Sequence, residues 1–183
     1  MIDLRNVSAC LITKDPTYPR EILIEMSRHP FGEILILTNC DSPHRKHELF
    51  AKAKYDLIYY QDDAAICPIE QIAKFAEPDL ITCAMKEFHI SKYAASRIAL
   101  IGWGSIFHKK ILESLKKYTD VWGEDEVFKR ETERILTYFN YPQRRLNLPI
   151  IDLPSAFSPD RLSMQPGHYD YIPIVERRCS ELL

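Results

Sequence analysis

The sequence is poor in the features that mark membrane, secreted and nucleic-acid-binding proteins. No apolar run approaches the roughly 20 residues that cross a bilayer, and no charged stretch followed by a long apolar one opens the chain. The formal net charge is only -2, which gives no diffuse basic field for nucleic acid or an anionic membrane. We therefore expect a soluble, cytoplasmic protein without a signal peptide, a transmembrane segment or a nucleic-acid partner.

The cysteines are few, odd in number and far apart in the sequence. There are five, no Cys-x-x-Cys pair occurs, and Cys10 and Cys83 lie within apolar runs. This pattern lacks the even, regularly spaced cysteines of a disulfide framework. We expect reduced and mostly buried thiols.

The first half of the chain alternates short apolar segments with segments of helical spacing. Buried strands are predicted at residues 7–13, 33–38, 57–60 and 80–83. Such alternation predicts an α/β fold with a mostly parallel central sheet and helices on both faces. Because no linker or internal repeat interrupts the 183 residues, we expect a single domain.

The second half is less regular. A strand is predicted at 97–101, and helices at about 109–118 and 124–138. Six prolines occur from Pro142 onward. They make long helices unfavourable there, so we predict one or two short strands and then an irregular tail.

Two acidic residues, Asp62 and Asp63, come directly after the third predicted strand. Open α/β sheets bind their ligands beyond the carboxyl ends of the strands. Adjacent carboxylates repel each other unless a cation or hydrogen-bond donors compensate them, and a hard divalent ion that also holds phosphate oxygens is a natural compensator. The alternative is a solvated turn, which aspartate also favours.

The segment Tyr59-Tyr-Gln-Asp-Asp63, between an apolar strand and a helix opened by Pro68, resembles the metal-binding signature of GT-A fold glycosyltransferases. Their usual pattern is Asp-x-Asp, and here Gln61 stands in place of the first acid. The resemblance implies a bound Mn²⁺ or Mg²⁺, with Asp63 as the direct ligand. Asp62 would then face the ribose or a metal-bound water.

Five further segments resemble parts of family 2-like members of this group, in the same order along the chain. They are the strand ending at Thr13, Thr38-Asn-Cys-Asp41, Gly102-Trp-Gly-Ser-Ile-Phe107, Trp122-Gly-Glu-Asp125 and Gln165-Pro-Gly-His168. The resemblance implies that Thr13 and Asp41 hold the nucleoside, and that His168 completes the metal or diphosphate site. The glycine-containing segment would lie on the acceptor side.

The resemblance implies a single GT-A (Rossmann-like) domain over residues 1–183, with a nucleotide-binding half at about 1–85 and an acceptor-side half at about 86–183. It also implies an inverting enzyme with a UDP- or GDP-sugar donor and a carbohydrate or glycan acceptor. Such an enzyme needs a base for the acceptor hydroxyl. Asp125 is our candidate, because the first turn of a helix keeps a carboxylate ionised. Glu124 is the alternative base, or a residue that orients the acceptor.

Several interpretations stay open. Arg177 is either solvated or reaches a diphosphate, and Trp103 either stacks on a sugar ring or packs in the protein. A sugar nucleotidyltransferase is disfavoured, because the segment after Thr13 lacks the glycine-rich loop usual in that class. A non-catalytic nucleotide-sugar-binding module remains possible, since the short chain leaves little room for an acceptor site.

Overall fold

The computed structural model describes residues 1–13, 20–38, 45–157 and 167–183. The strands are β1 (Val7–Ile12), β2 (Glu33–Leu37), β3 (Leu57–Asp62), β4 (Ala65–Ile66), β5 (Thr82–Met85), β6 (Ser105–His108), β7 (Arg144–Asn147) and β8 (Ile151–Asp152). The α-helices are α1 (Arg20–Ser27), α2 (Lys46–Lys52), α3 (Ile69–Phe75), α4 (Glu87–Lys92), α5 (Glu113–Trp122), α6 (Glu126–Phe139) and α7 (Tyr171–Ser180).

A six-stranded sheet in the order β2-β1-β3-β6-β5-β7 forms the centre of the fold. Five of these strands run in one direction, and β6 is antiparallel to both of its neighbours. β4 and β8 form a separate two-stranded antiparallel ribbon. The predicted α/β class with a mostly parallel sheet is confirmed, and the fold is Rossmann-like.

Each face of the sheet carries its own hydrophobic core. On one face, Ile22 of α1 and Ile72 of α3 pack against Leu11 and Tyr59. On the other face, Phe50 of α2 belongs to a larger core, whose helical part is completed by α5, α6 and α7. The prediction of helices on both faces is therefore confirmed.

The apolar runs explain why these strands form. All six residues of β1 are buried, as expected for a strand covered on both sides. Pro68 stands at the start of α3, as predicted, but as its N-cap residue and not at the first helical position, and its missing N–H costs no hydrogen bond there. The fourth predicted strand is present but displaced by two residues, as β5.

Two predictions for the second half were wrong. Residues 97–101 form no strand, because the Ala99 N–H donates to the Thr137 hydroxyl of α6 (3.1 Å) instead of to a neighbouring strand. The tail contains α7 instead of being wholly irregular. Pro173 is the third residue of this helix, where a proline has no intrahelical N–H partner to lose. Helix α4 was not predicted.

The prediction of reduced, mostly buried thiols is confirmed for the described cysteines. Cys10, Cys67, Cys83 and Cys179 are buried and free, whereas Cys40 lies outside the described residues. In the described ranges, no helix combines the length and the apolar character that crossing a membrane requires.

Candidate functional site

The chain connections change direction around β1, and the candidate site lies there. β2 is on one side of β1 and β3 on the other, so the first connection leaves one way and the second returns past it. Ligands of open α/β sheets bind at such a switch point, beyond the carboxyl ends of the strands. Thr13 follows β1 at this edge, and Ile12 is in register with Asp62, the last residue of β3.

The two predicted acids are fixed at this edge by hydrogen bonds. The Thr13 hydroxyl donates to Asp63 Oδ2 over 2.9 Å, although the two residues are 50 positions apart in the sequence. Asp62 Oδ1 accepts the Ala64 N–H at 3.0 Å. Thr13 is buried and both aspartates are half-buried. The structure therefore brings together three of the predicted site residues.

The glycine-containing segment reaches the same edge. Because β6 is antiparallel to β3, the residues just before β6 lie beside the carboxyl end of β3. The Asp62 N–H donates to the Gly102 carbonyl (2.8 Å), and a Cβ on Gly102 would lie only 2.7 Å from Asp62 Oδ2. Gly104 has a φ of +89°, and a Cβ there would lie 2.8 Å from the Cβ of Cys67. Both glycines therefore permit a close approach that other residues would prevent.

Gln61, which stands in place of the first acid of an Asp-x-Asp pattern, has a structural role. Its side chain is only 2 % exposed, accepts the Tyr59 hydroxyl (2.5 Å) and donates to the Ala65 carbonyl. These bonds hold the turn that carries Asp62 and Asp63. Sequence reasoning did not identify this role.

Trp103 is half-buried and packs within the protein. Its ring centroid is 4.6 Å from that of His89, and the Lys86 ammonium is 5.2 Å from it. Lys86 also forms an ion pair with Asp152 (2.5 Å). Burial, with the charges of Lys86 and Lys92, lowers the pKa of His89. Stacking of Trp103 on a sugar stays a prediction.

Lys86 and Asp152 are site-edge residues that sequence reasoning missed. Lys86 directly follows β5, and strand ends of this kind were a usable signal. Asp152 reaches the site through its register with Ala65 in the ribbon, which no local pattern indicates. Burial raises the pKa of the Cys67 thiol, and the negative charges of Asp62 and Asp152 raise it further.

A second missed cluster lies next to Asp62. The Tyr60 hydroxyl donates to Glu133 Oε1 (2.9 Å), and the same oxygen is paired with Lys46 of α2. Tyr60 OH is 3.7 Å from the position that a Cβ on Gly102 would take, close to Asp62 Oδ2. Helix α6 is thereby connected to the edge that carries the two acids.

Asp125 is the N-cap residue of α6. Its Oδ1 accepts the Phe128 N–H (2.9 Å), and its Oδ2 accepts Arg178 Nη1 (2.5 Å). Partial burial raises the pKa of Asp125, but the hydrogen bonds from Arg178 and Phe128 outweigh it and hold this pKa below its ordinary value. Glu124 is exposed. The described contacts of Asp125 lead to α7 and do not include Asp62 or Asp63.

The other predicted residues are only partly placed. Arg177 is exposed on α7, next to the half-buried Arg178. The backbone of His168 begins a short 3₁₀ helix after Gly167. Asp41 lies outside the described residues. Their roles toward a nucleotide stay predictions.

The donor set at this edge fits a hard divalent cation. Asp62 and Asp63 supply carboxylate oxygens, and each is oriented by a hydrogen bond to one of its oxygens. Mg²⁺ is usually held by one or two carboxylates together with waters and substrate phosphates. Within the described ranges, no group of three or more histidine, cysteine, aspartate or glutamate side chains forms a metal cage. A metal ion bound at this edge stays a prediction.

No protein-family model matches the sequence, and no curated protein matches it significantly.

Proposed function

We propose that the protein is a metal-dependent glycosyltransferase. It moves a sugar from a nucleoside-diphosphate sugar to an acceptor hydroxyl with inversion. The observation that carries the proposal is the convergence of Thr13, Asp62, Asp63 and Gly102 at the switch point of the sheet. That is where an α/β sheet of this kind binds a nucleotide.

In this proposal Asp62 and Asp63 would hold a Mn²⁺ or Mg²⁺ that binds the donor diphosphate, with Asp63 as its direct ligand. The ion, when bound, neutralises charge that develops on the leaving diphosphate. Thr13 orients the Asp63 carboxylate and, with Asp41, contacts the nucleoside. Gly102 leaves room for the Asp62 carboxylate, since a Cβ at this position would lie only 2.7 Å from Asp62 Oδ2.

Asp125 takes the proton of the acceptor hydroxyl, and Glu124 orients the acceptor or replaces Asp125 as base. The acceptor oxygen forms a bond to the anomeric carbon as the bond from that carbon to the diphosphate oxygen breaks. The bonding electron pair leaves with the nucleoside diphosphate. A carboxylate offers about four lone-pair sites, so the contacts with Phe128 and Arg178 still leave room for a hydroxyl donor.

One observation favours a second candidate function, a nucleotide-sugar-binding module without turnover. The Asp125 carboxylate is already paired with Arg178 at 2.5 Å, and an ion-paired carboxylate is a weak base. In that case the edge at Asp62 and Asp63 would bind the nucleotide without transfer.

Release of nucleoside diphosphate from UDP- and GDP-sugars tests the proposal. The purified protein is assayed with Mn²⁺, with and without a panel of carbohydrate acceptors, beside the Asp63→Ala variant. Asp79→Ala is a matched control, because Asp79 is an exposed aspartate paired with Lys110 at the opposite edge of the sheet.

We expect metal-dependent release that Asp63→Ala abolishes and Asp79→Ala leaves unchanged. Full activity of Asp63→Ala would refute the metal assignment. A rise in melting temperature with nucleotide and Mn²⁺, but no release with any acceptor, would favour the binding module.

A further inference from the structure

Helix α7 places an arginine directly on the candidate base. Arg178 Nη1 lies 2.5 Å from Asp125 Oδ2 and 2.6 Å from the Tyr118 hydroxyl. Its guanidinium also lies 4.7 Å from the centroid of the Trp122 ring. Three neighbours from α5 and the start of α6 therefore fix one side chain of α7.

The position of Arg178 is set by the packing of its helix. Val175 and Cys179, on either side of it in α7, are fully buried in the larger core. The Arg178 side chain is 19 % exposed and that of Asp125 is 32 % exposed. An arginine held by packing at one end and by a carboxylate at the other is a defined contact, unlike a mobile surface pair.

We infer that Arg178 is a positioning residue that holds the Asp125 carboxylate in one orientation and keeps it ionised for the transfer reaction. This inference rests on the proposed function, in which Asp125 is the base. The N-cap bond from Phe128 fixes Oδ1, and Arg178 fixes Oδ2. Two fixed oxygens restrict the carboxylate to one plane, from which a remaining lone pair can accept the acceptor proton.

The positive charge of Arg178 lowers the pKa of Asp125. A neighbouring cation favours the charged form of a carboxylate, so loss of Arg178 raises the pKa of Asp125. The base would then be ionised only at higher pH, and the acidic limb of the pH–rate profile would move upward. The titratable or charged groups that contact this pair or adjoin it in the chain are Tyr118 on α5, Glu124 and Glu126 beside Asp125, and Arg177 and Cys179 beside Arg178. His47 of α2 packs against the Phe128 ring.

The test compares Arg178→Met with Arg178→Lys and Tyr118→Phe in the full chain. The acidic limb of kcat/KM for the acceptor should move up by roughly one pH unit in Arg178→Met. Arg178→Lys keeps the charge and should restore most of this shift. Tyr118→Phe removes one hydroxyl contact but keeps the ion pair, so its limb should match that of the wild type. The Kd of UDP with Mn²⁺ should be the same in all four proteins.

Carbon-13 NMR titration of the Asp125 carboxyl gives a second readout that needs no turnover. A higher titration midpoint in Arg178→Met than in the wild type shows that Arg178 keeps Asp125 ionised, and this result does not depend on turnover. Absence of nucleoside diphosphate release from the wild type would separately refute the proposed function. Equal midpoints, or equal shifts in the Lys and Met variants, would overturn the inference. Melting temperatures identify a variant that does not fold. If Arg178→Met does not fold, the midpoints of Arg178→Lys and Tyr118→Phe are compared with that of the wild type instead.

Discussion

Replacement of Gly102 by alanine should perturb the candidate site with little effect on the rest of the fold. The backbone at Gly102 is outside the left-handed region, since the described glycines with positive φ are at other positions, so alanine adds no backbone strain. Its new methyl group would lie 2.7 Å from Asp62 Oδ2 and 3.3 Å from Asp62 Cγ. The Asp62 N–H is bonded to the Gly102 carbonyl, so the two backbones cannot easily separate.

The expected loss of activity in Gly102→Ala follows from the 2.7 Å distance between the new methyl group and Asp62 Oδ2. The Asp62 carboxylate would have to retreat by about 0.7 Å or more to reach ordinary van der Waals contact. A misplacement of about 1 Å in a catalytic group can reduce a rate by about a hundredfold. We therefore expect Gly102→Ala to lower Mn²⁺-dependent release of nucleoside diphosphate by roughly ten- to a hundredfold.

The assay pairs this rate with two other measurements, the melting temperature without ligand and its rise on addition of Mn²⁺ and UDP. The unliganded melting temperature should stay close to that of the wild type, and the ligand-induced rise should shrink. Gly104→Ala is the comparison variant, because its φ of +89° and its contact with Cys67 should make it lose stability instead. Wild-type rate and ligand response in Gly102→Ala would refute the placement of Asp62 in the site.

Two further predictions concern stability, and both are measured by urea denaturation. Arg134→Met should lower the free energy of unfolding by about 3–5 kcal/mol near pH 8, because it leaves the charge of Glu131, which is 2 % exposed, without its buried partner. Burial already raises the pKa of Glu131 above its ordinary value, so folded protein gains stability as this group takes up a proton; the loss should therefore shrink toward pH 5, and a loss independent of pH would contradict this reasoning. Gln61→Leu should cost about 2–4 kcal/mol, because a buried tyrosine hydroxyl and a main-chain carbonyl lose their partner. Unchanged stability would show that these bonds do not hold the turn.

The location of Asp62 and Asp63 was predictable because the signal is local. An apolar strand followed at once by acidic residues identifies the carboxyl end of that strand, and strand–helix alternation makes the neighbouring strands parallel. The hydrogen bond between Thr13 and Asp63 depends on the register of β1 against β3. No local pattern in the sequence indicates this register. The type of residue at this edge was therefore predictable, and its pairing was not.

Other features depend on contacts between distant parts of the chain. The pair Asp125–Arg178 spans 53 positions and the contact of Tyr60 with Glu133 spans 73. No periodicity or local motif encodes such a pairing. It follows from how α6 packs against β3 and how α7 packs against α6.

The absence of the strand predicted at residues 97–101 has a physical explanation. Ile98, Ala99 and Ile101 are fully buried, as their apolar character indicates. Apolarity predicts burial, but it does not determine the hydrogen-bond partner, and here the Ala99 N–H bonds to a helix side chain. The same distinction applies to the tail, where Pro173 was compatible with a helix because it lies in the first turn.

Binding of a metal by Asp63 is tested most directly by anomalous diffraction from crystals grown with Mn²⁺ and UDP. We expect an anomalous peak at bonding distance, about 2.0–2.6 Å, from a carboxylate oxygen of Asp63, with the diphosphate of UDP on the same ion. A nucleotide and metal bound elsewhere, with Asp62 and Asp63 directed into solvent, would contradict it.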